Sequence, residues 1–176
     1  MKKQQLDHIL RAAGDITGEK QFVIIGSQAL HGKYPDLADA IVMSAEADLF
    51  APKNPDVTEL LNEIGVDSPF HLEFGFYADP VEEGTAMLPK GWKGRLVNLP
   101  AGDTGGVKGL CLEPHDLAVA KYVARRDKDR VFTRELARRG LVSREKLLAL
   151  VEQTPVSVEV RKRIRADIDS DFAAAP

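Results

Sequence analysis

Glu46 and Asp48, in the stretch SAEADLF from Ser44 to Phe50, are separated by one residue. On a strand that spacing projects both carboxylates from one face. Carboxylates side by side repel each other. Protonation or a shared cation relieves the repulsion, and Mg²⁺ is the hard, oxygen-seeking choice. Upstream, FVIIGSQALHGKYP, from Phe22 to Pro35, is an apolar run that stops at Gly26 and Ser27. A strand that ends in Gly-Ser and feeds a short helix points backbone N–H groups and a hydroxyl beyond the sheet edge, an arrangement that suits anions. Gly26 permits close backbone approach, and Ser27 offers a donor to a phosphate oxygen. Facing each other, the turn and the carboxylates would hold a metal–triphosphate and steady an attacking hydroxyl in line with the α-phosphorus. That requires the strands carrying Gly26 and Glu46 to be neighbours in one sheet.

The elements that must position these residues can be read from periodicity and punctuation. An opening helix is expected over Lys3 to Ala13 and a strand over Gln21 to Ile25, with a brief helix from Ser27. After the loop GKYPDLADA comes a strand around Ser44 to Phe50, then a helix over Val57 to Ile64. In FHLEFGFYAD, Phe70, Leu72, Phe74 and Phe76 alternate with His71, Glu73, Gly75 and Tyr77, the period-2 pattern of a half-buried strand. Two more strands are predicted over Gly94 to Leu99 and Val107 to Leu112, separated by the turn-rich PAGDTGG. The remainder reads as helical. Pro114 and Asp116 suit a first turn, Gly140 a stop and Ser143 an N-cap, and a charged helix runs from Val156 to Phe172, fraying after Asp169. The expected fold is α+β: a single domain of 176 residues, with a mixed-sheet core over 1–113 and a helical bundle over 114–176 packed on it.

With 44% apolar and 29% charged residues, the composition is that of a folded, soluble chain. No apolar run is long enough to span a membrane, and MKKQQLDHIL is too polar for a signal peptide, so a cytoplasmic location is expected. The single cysteine, Cys111, reads as a buried strand thiol. A net charge of −3 does not mark the whole chain as a nucleic-acid binder, although basic residues concentrate between Lys121 and Lys146. No G-x-G-x-x-G follows a strand, which disfavours a dinucleotide site.

GSQALHG followed by EADLF resembles the Gly-Ser motif and paired-carboxylate strand of the nucleotidyltransferase superfamily. The likeness extends from about Gln21 to Leu150 and is to small bacterial proteins related to AbiEii-type abortive-infection toxins. The resemblance implies a nucleotidyltransferase-like fold. It also implies Mg²⁺ or Mn²⁺ held by Glu46 and Asp48, and transfer of a nucleotidyl group from a nucleoside triphosphate to an acceptor hydroxyl. In such proteins a helix carries a lysine, then an arginine, then a basic-Asp pair, and DLAVAKYVARRDKDR presents Lys121, Arg126, Lys128 and Asp129. By that likeness Lys121 contacts the triphosphate, Arg126 supports it and Asp129 orients its neighbours. It further implies a toxin–antitoxin or phage-defence role, with transfer RNA or a protein as acceptor and a cognate antitoxin as partner.

The chain departs from the family pattern in three places. The leading carboxylate is Glu46 rather than Asp, Glu46 lies 19 positions after Ser27, and the third carboxylate has no motif. Glu73 is chosen for that third role because it points away from the phenylalanine face, with Asp79 as the alternative. His71 shares the strand face of Glu73, and Trp92 reads as a packing anchor beneath a turn. Spacings of four and three put Lys121, Arg125 and Lys128 on one helix face. Two rival readings stand beside the enzyme: a catalytically inactive nucleotide- or partner-binding protein, and a helix-turn-helix protein using RELARRGLVSREKLLALV on DNA.

Overall fold

The computed structural model describes residues 1–37, 41 and 43–174. Two compact units are present, one formed by residues 1–85 and 96–112, the other by 86–95 and 113–176. The end of the loop expected after Gly32, residues 38–40, lies outside the described residues.

The first unit opens with α1 (Lys3–Thr17), whose buried Leu6, Ile9, Leu10 and Ala13 recur at helical spacing. Gly18 ends α1 with φ 74°, its N–H donating to Gly14 O at 2.9 Å. The sheet comprises β1 (Gln21–Ile24), β2 (Glu46–Phe50), β3 (Tyr77–Pro80), β4 (Val97–Asn98) and β5 (Lys108–Cys111), in the order β3-β2-β1-β5-β4. β1 runs antiparallel to β2 and parallel to β5, β2 is parallel to β3, and β4 is antiparallel to β5. The sheet is therefore mixed and the fold α+β, as the sequence predicts. Phe22 and Ile24 are fully buried on the central strand. Cys111 is buried on β5, and burial pushes its thiol up to about 12.

The sequence expectation fails most clearly at FHLEF. This stretch is not a strand but the helix α2 (Pro69–Phe74), with Ser68 Oγ accepting the His71 N–H at 3.1 Å and Gly75 closing it at φ 74°. Phe70 and Phe74 are also four apart, so a helix brings them together at 4.9 Å between ring centroids. With Phe76 they surround His8 of α1, at 5.1, 4.6 and 5.8 Å, which no local pattern specifies. Leu72, expected in the core, is 77% exposed. Pro55–Ile64, expected as an α-helix from Val57, is a 3₁₀ stretch. The strand expected from Gly94 begins only at Val97, after a 3₁₀ turn over Trp92–Arg95 that leaves Trp92 half-buried.

The second unit is helical: α3 (Pro114–Ala124), α4 (Asp127–Arg138), α5 (Arg144–Glu152) and α6 (Val158–Ala173). Glu113 caps α3 and is enclosed by donors, accepting the His115 N–H at 2.8 Å, His115 Nδ1 at 2.9 Å and Lys146 Nζ at 2.9 Å. Because His115 Nε2 accepts the Ser143 N–H at 2.9 Å, the ring proton sits on Nδ1. Gly140 follows α4 at φ 64°, and Ser143 caps α5, accepting the Lys146 N–H at 3.4 Å. Leu147, Leu150 and Val151 of α5 are buried, so the leucines of the suggested recognition helix serve the core. α6 runs through Asp169 to Ala173. No described helix is long and apolar enough to cross a membrane.

Candidate functional site

β1 leads through Ile25 into Gly26, and the antiparallel register Ile24↔Leu49 lays this exit against β2. The Ile25 N–H donates to Asp48 O at 3.0 Å. Gly26 has an extended backbone, φ −87° and ψ −167°, that any residue could adopt. Close approach is what demands glycine here. A Cβ built on Gly26 would overlap Asp48 Oδ2 and stand 2.6 Å from Asp48 Cγ. The chain then turns through a 3₁₀ helix, Ser27–Gly32, in which the Ala29 N–H donates to Gly26 O at 3.0 Å. Ser27 is half-exposed, and its Oγ makes no hydrogen bond among the described residues. Beneath it Gln28 is buried, and its Nε2 donates to Ser44 O at 3.1 Å, tying the turn to the entry of β2. Gly26, Ser27 and Asp48 thus meet at one point.

Along β2, Glu46 and Asp48 are half-exposed while Ala47 and Leu49 are buried, so both carboxylates leave the same face. β3 lies parallel with Glu46↔Tyr77 and Asp48↔Asp79 as partners, which puts Tyr77 and Asp79 on that face too. Asp79, not Glu73, is therefore the third carboxylate beside the pair. Glu73, expected on a strand, sits on α2 and is exposed. The Tyr77 hydroxyl donates to Glu46 Oε2 at 3.2 Å. Burial raises the pKa of Tyr77 above that of an ordinary phenol, with the negative charges of Glu46, Asp79 and Asp48 adding to the effect. His71, on α2, packs its ring 4.6 Å from that of Tyr77.

Among the described residues no three His, Cys, Asp or Glu side chains form a ready metal cage. The donor set still suits a hard divalent cation, since it consists of carboxylate oxygens with no thiolate or imidazole among them. Mg²⁺ is commonly held by one or two carboxylates and completed by substrate phosphates and water, so a pair on one face meets the requirement.

The predicted basic residues lie in the helical unit. α3 ends at Ala124, and Arg125 takes a left-handed conformation, φ 56°, with its N–H donating to Lys121 O at 2.8 Å. Because the helix breaks there, Lys121, Arg125 and Lys128 do not share one helix face. Arg125 instead pairs with Asp167 at 2.8 Å. Asp129, 1% exposed, accepts from the Arg126 N–H at 3.1 Å and from Arg126 Nε at 2.7 Å, and lies 3.5 Å from Lys121 Nζ. Burial alone would raise its pKa, but the Arg126 hydrogen bonds and the Lys121 charge hold it below the usual carboxylate range. Asp129 thus positions both cations. Asp116, fully buried, receives both Arg95 Nε at 2.9 Å and Arg95 Nη2 at 2.7 Å. Sequence reasoning passed over Tyr77, although the alternation of Tyr77, Ala78 and Asp79 just before Pro80 was its available signal. Nothing in the sequence marks the Arg95–Asp116 pair, which joins residues 21 positions apart.

The family described as "Nucleotidyltransferase of unknown function (DUF6036)" matches residues 4–172, nearly the whole chain, and the chain belongs to that family. No curated protein and no solved structure matches it.

Proposed function

Starting from membership of this family, we propose that the chain transfers a nucleotidyl group from a nucleoside triphosphate to an acceptor hydroxyl, with Mg²⁺ or Mn²⁺ held by Glu46 and Asp48. One observation carries the reading: the Gly26–Ser27 turn closes onto the Asp48 carboxylate so tightly that a Cβ at position 26 would overlap it where it stands. A phosphate received by the backbone of this turn would lie beside the carboxylate that holds its cation. When bound, the cation supplies neutralisation of phosphate charge. Ser27 Oγ donates a hydrogen bond to a phosphate oxygen. Asp79, level with Asp48, takes the proton of the acceptor hydroxyl onto a carboxylate oxygen. The acceptor oxygen bonds to the α-phosphorus while the bond from that phosphorus to the bridging oxygen breaks, and pyrophosphate leaves with the electron pair. For the helical unit we propose that Lys121 and Arg126, both oriented by Asp129, bind triphosphate oxygens. The AbiEii-type likeness supports a toxin or phage-defence role in the cytoplasm, with transfer RNA or a protein as acceptor and a cognate antitoxin as partner.

The test is incubation with each α-labelled triphosphate, Mg²⁺ or Mn²⁺, and total RNA or lysate. Metal-dependent label in a product, lost in Asp48→Asn, is expected. Triphosphate binding without any transfer would instead support the inactive reading, and label transfer unaffected by Asp48→Asn would remove these carboxylates from the mechanism.

A further inference from the structure

Glu46 of β2 has a hydrogen-bond donor directly beside it on the neighbouring strand β3. We propose that Tyr77 is a positioning residue that holds the longer Glu46 arm in the one rotamer able to ligate a cation. This inference rests on the reading of Glu46 as a cation ligand. A glutamate has one more rotatable bond than an aspartate, and an unrestrained carboxylate must lose that freedom each time it binds. The sheet register sets Tyr77 directly beside Glu46, and the phenol hydroxyl donates to Oε2 at 3.2 Å.

Tyr77 is itself held from two sides. Its backbone N–H donates to Ala45 O at 3.0 Å, continuing the β2–β3 ladder. Its ring rests against the ring of His71 with centroids 4.6 Å apart and planes inclined at 58°. His71 is fixed in turn, since Nδ1 accepts the Asp67 N–H at 3.0 Å and its own N–H donates to Ser68 Oγ at 3.1 Å. α2 therefore braces the tyrosine that braces the glutamate. An aspartate at 46 would withdraw the carboxylate by one carbon–carbon bond, about 1.5 Å, and a 3.2 Å hydrogen bond would become too long to count. Glutamate and tyrosine form one unit, in which the reach of the first requires the hydroxyl of the second.

A double-mutant cycle on Mn²⁺ binding, followed by electron paramagnetic resonance of the free ion, tests this without reference to turnover. Tyr77→Phe should weaken Mn²⁺ binding by about tenfold or more, the scale for one hydrogen bond to a charged group. In a Glu46→Asp background the same change should have no effect, because no hydroxyl contact is left to lose. His71→Ala, which keeps the phenol but removes its brace, should weaken binding by a smaller factor and gives a second route should Tyr77→Phe fail to fold. Equal Mn²⁺ affinity in wild type, Tyr77→Phe and His71→Ala, with Glu46→Gln abolishing binding, would overturn the role of Tyr77 and leave the cation site standing. An equal loss from Tyr77→Phe in both backgrounds would also overturn it. No Mn²⁺ binding by the wild-type chain would bring down the cation reading, and this inference with it.

Discussion

Gly26→Ala should disturb the site through a single methyl group. The added Cβ would overlap Asp48 Oδ2, stand 2.6 Å from Asp48 Cγ and lie 3.2 Å from Asp48 Cβ. The Asp48 side chain must swing away or the two strands must part, and overpacking of this kind costs about 1–3 kcal/mol. Against it, the backbone at φ −87° suits alanine, and removing a glycine from the unfolded chain returns about 0.4–1 kcal/mol. The expected net loss is about 1–2 kcal/mol, a fall of roughly 2–8 °C in the unfolding midpoint for a chain of this size. In an Asp48→Ala background the carboxylate is gone and only the 3.2 Å contact persists, so the same change should fall within about 0.5 kcal/mol of neutral. Thermal and urea unfolding of the four proteins measure this coupling directly. If Gly26→Ala costs the same with and without the Asp48 carboxylate, the turn and β2 are not in the contact described, and the candidate site loses its foundation.

Glu46→Gln and Asp48→Asn should each lower metal-dependent transfer at least about a hundredfold, roughly 3 kcal/mol of barrier, while the unfolding midpoint holds or rises as repulsion is relieved. Asp79→Asn should cause a comparable loss and Glu73→Gln none, a comparison that the transfer assay settles. Lys121→Ala should weaken triphosphate binding by about 1–3 kcal/mol by calorimetry, and unchanged affinity would return the residue to a purely structural pairing with Asp129. Glu113 is held well below its ordinary pKa of 4.5 by His115 and Lys146 despite burial, so its stabilisation is present above about pH 4.5 and is lost as pH falls below it. Glu113→Gln should therefore cost about 1–3 kcal/mol near neutral pH and flatten the acid limb of a stability–pH curve. Cys111, with its thiol pushed up to about 12, should resist a thiol reagent at pH 8 in the folded chain and react fully in denaturant.

The placement of much of the candidate site was legible because its signals are local. The one-residue spacing of Glu46 and Asp48 sets their shared face wherever EADLF forms a strand, since a strand's period is two. Pro114 and Ser143 announce helix starts by satisfying or omitting backbone donors within one turn, which a sequence displays directly. FHLEF carried both periods at once, because Phe70 and Phe74 are spaced for a helix face and for one side of a strand alike. The choice between them came from His8, some sixty residues earlier, which gives the three phenylalanines a ring to pack around. The third carboxylate followed from that choice. With α2 in place of a strand, Glu73 turned outward, and the register of β3 on β2 set Asp79 beside Asp48. The single basic helix failed for a similar reason, since the left-handed turn at Arg125 is stabilised by capping and by Asp167 of α6, a partner 42 positions away. Residue types and short spacings determined which chemistry this chain can carry. Pairing across the sheet and packing between distant segments decided which residues stand together, because contact energies between remote parts of a chain leave no mark in its local pattern.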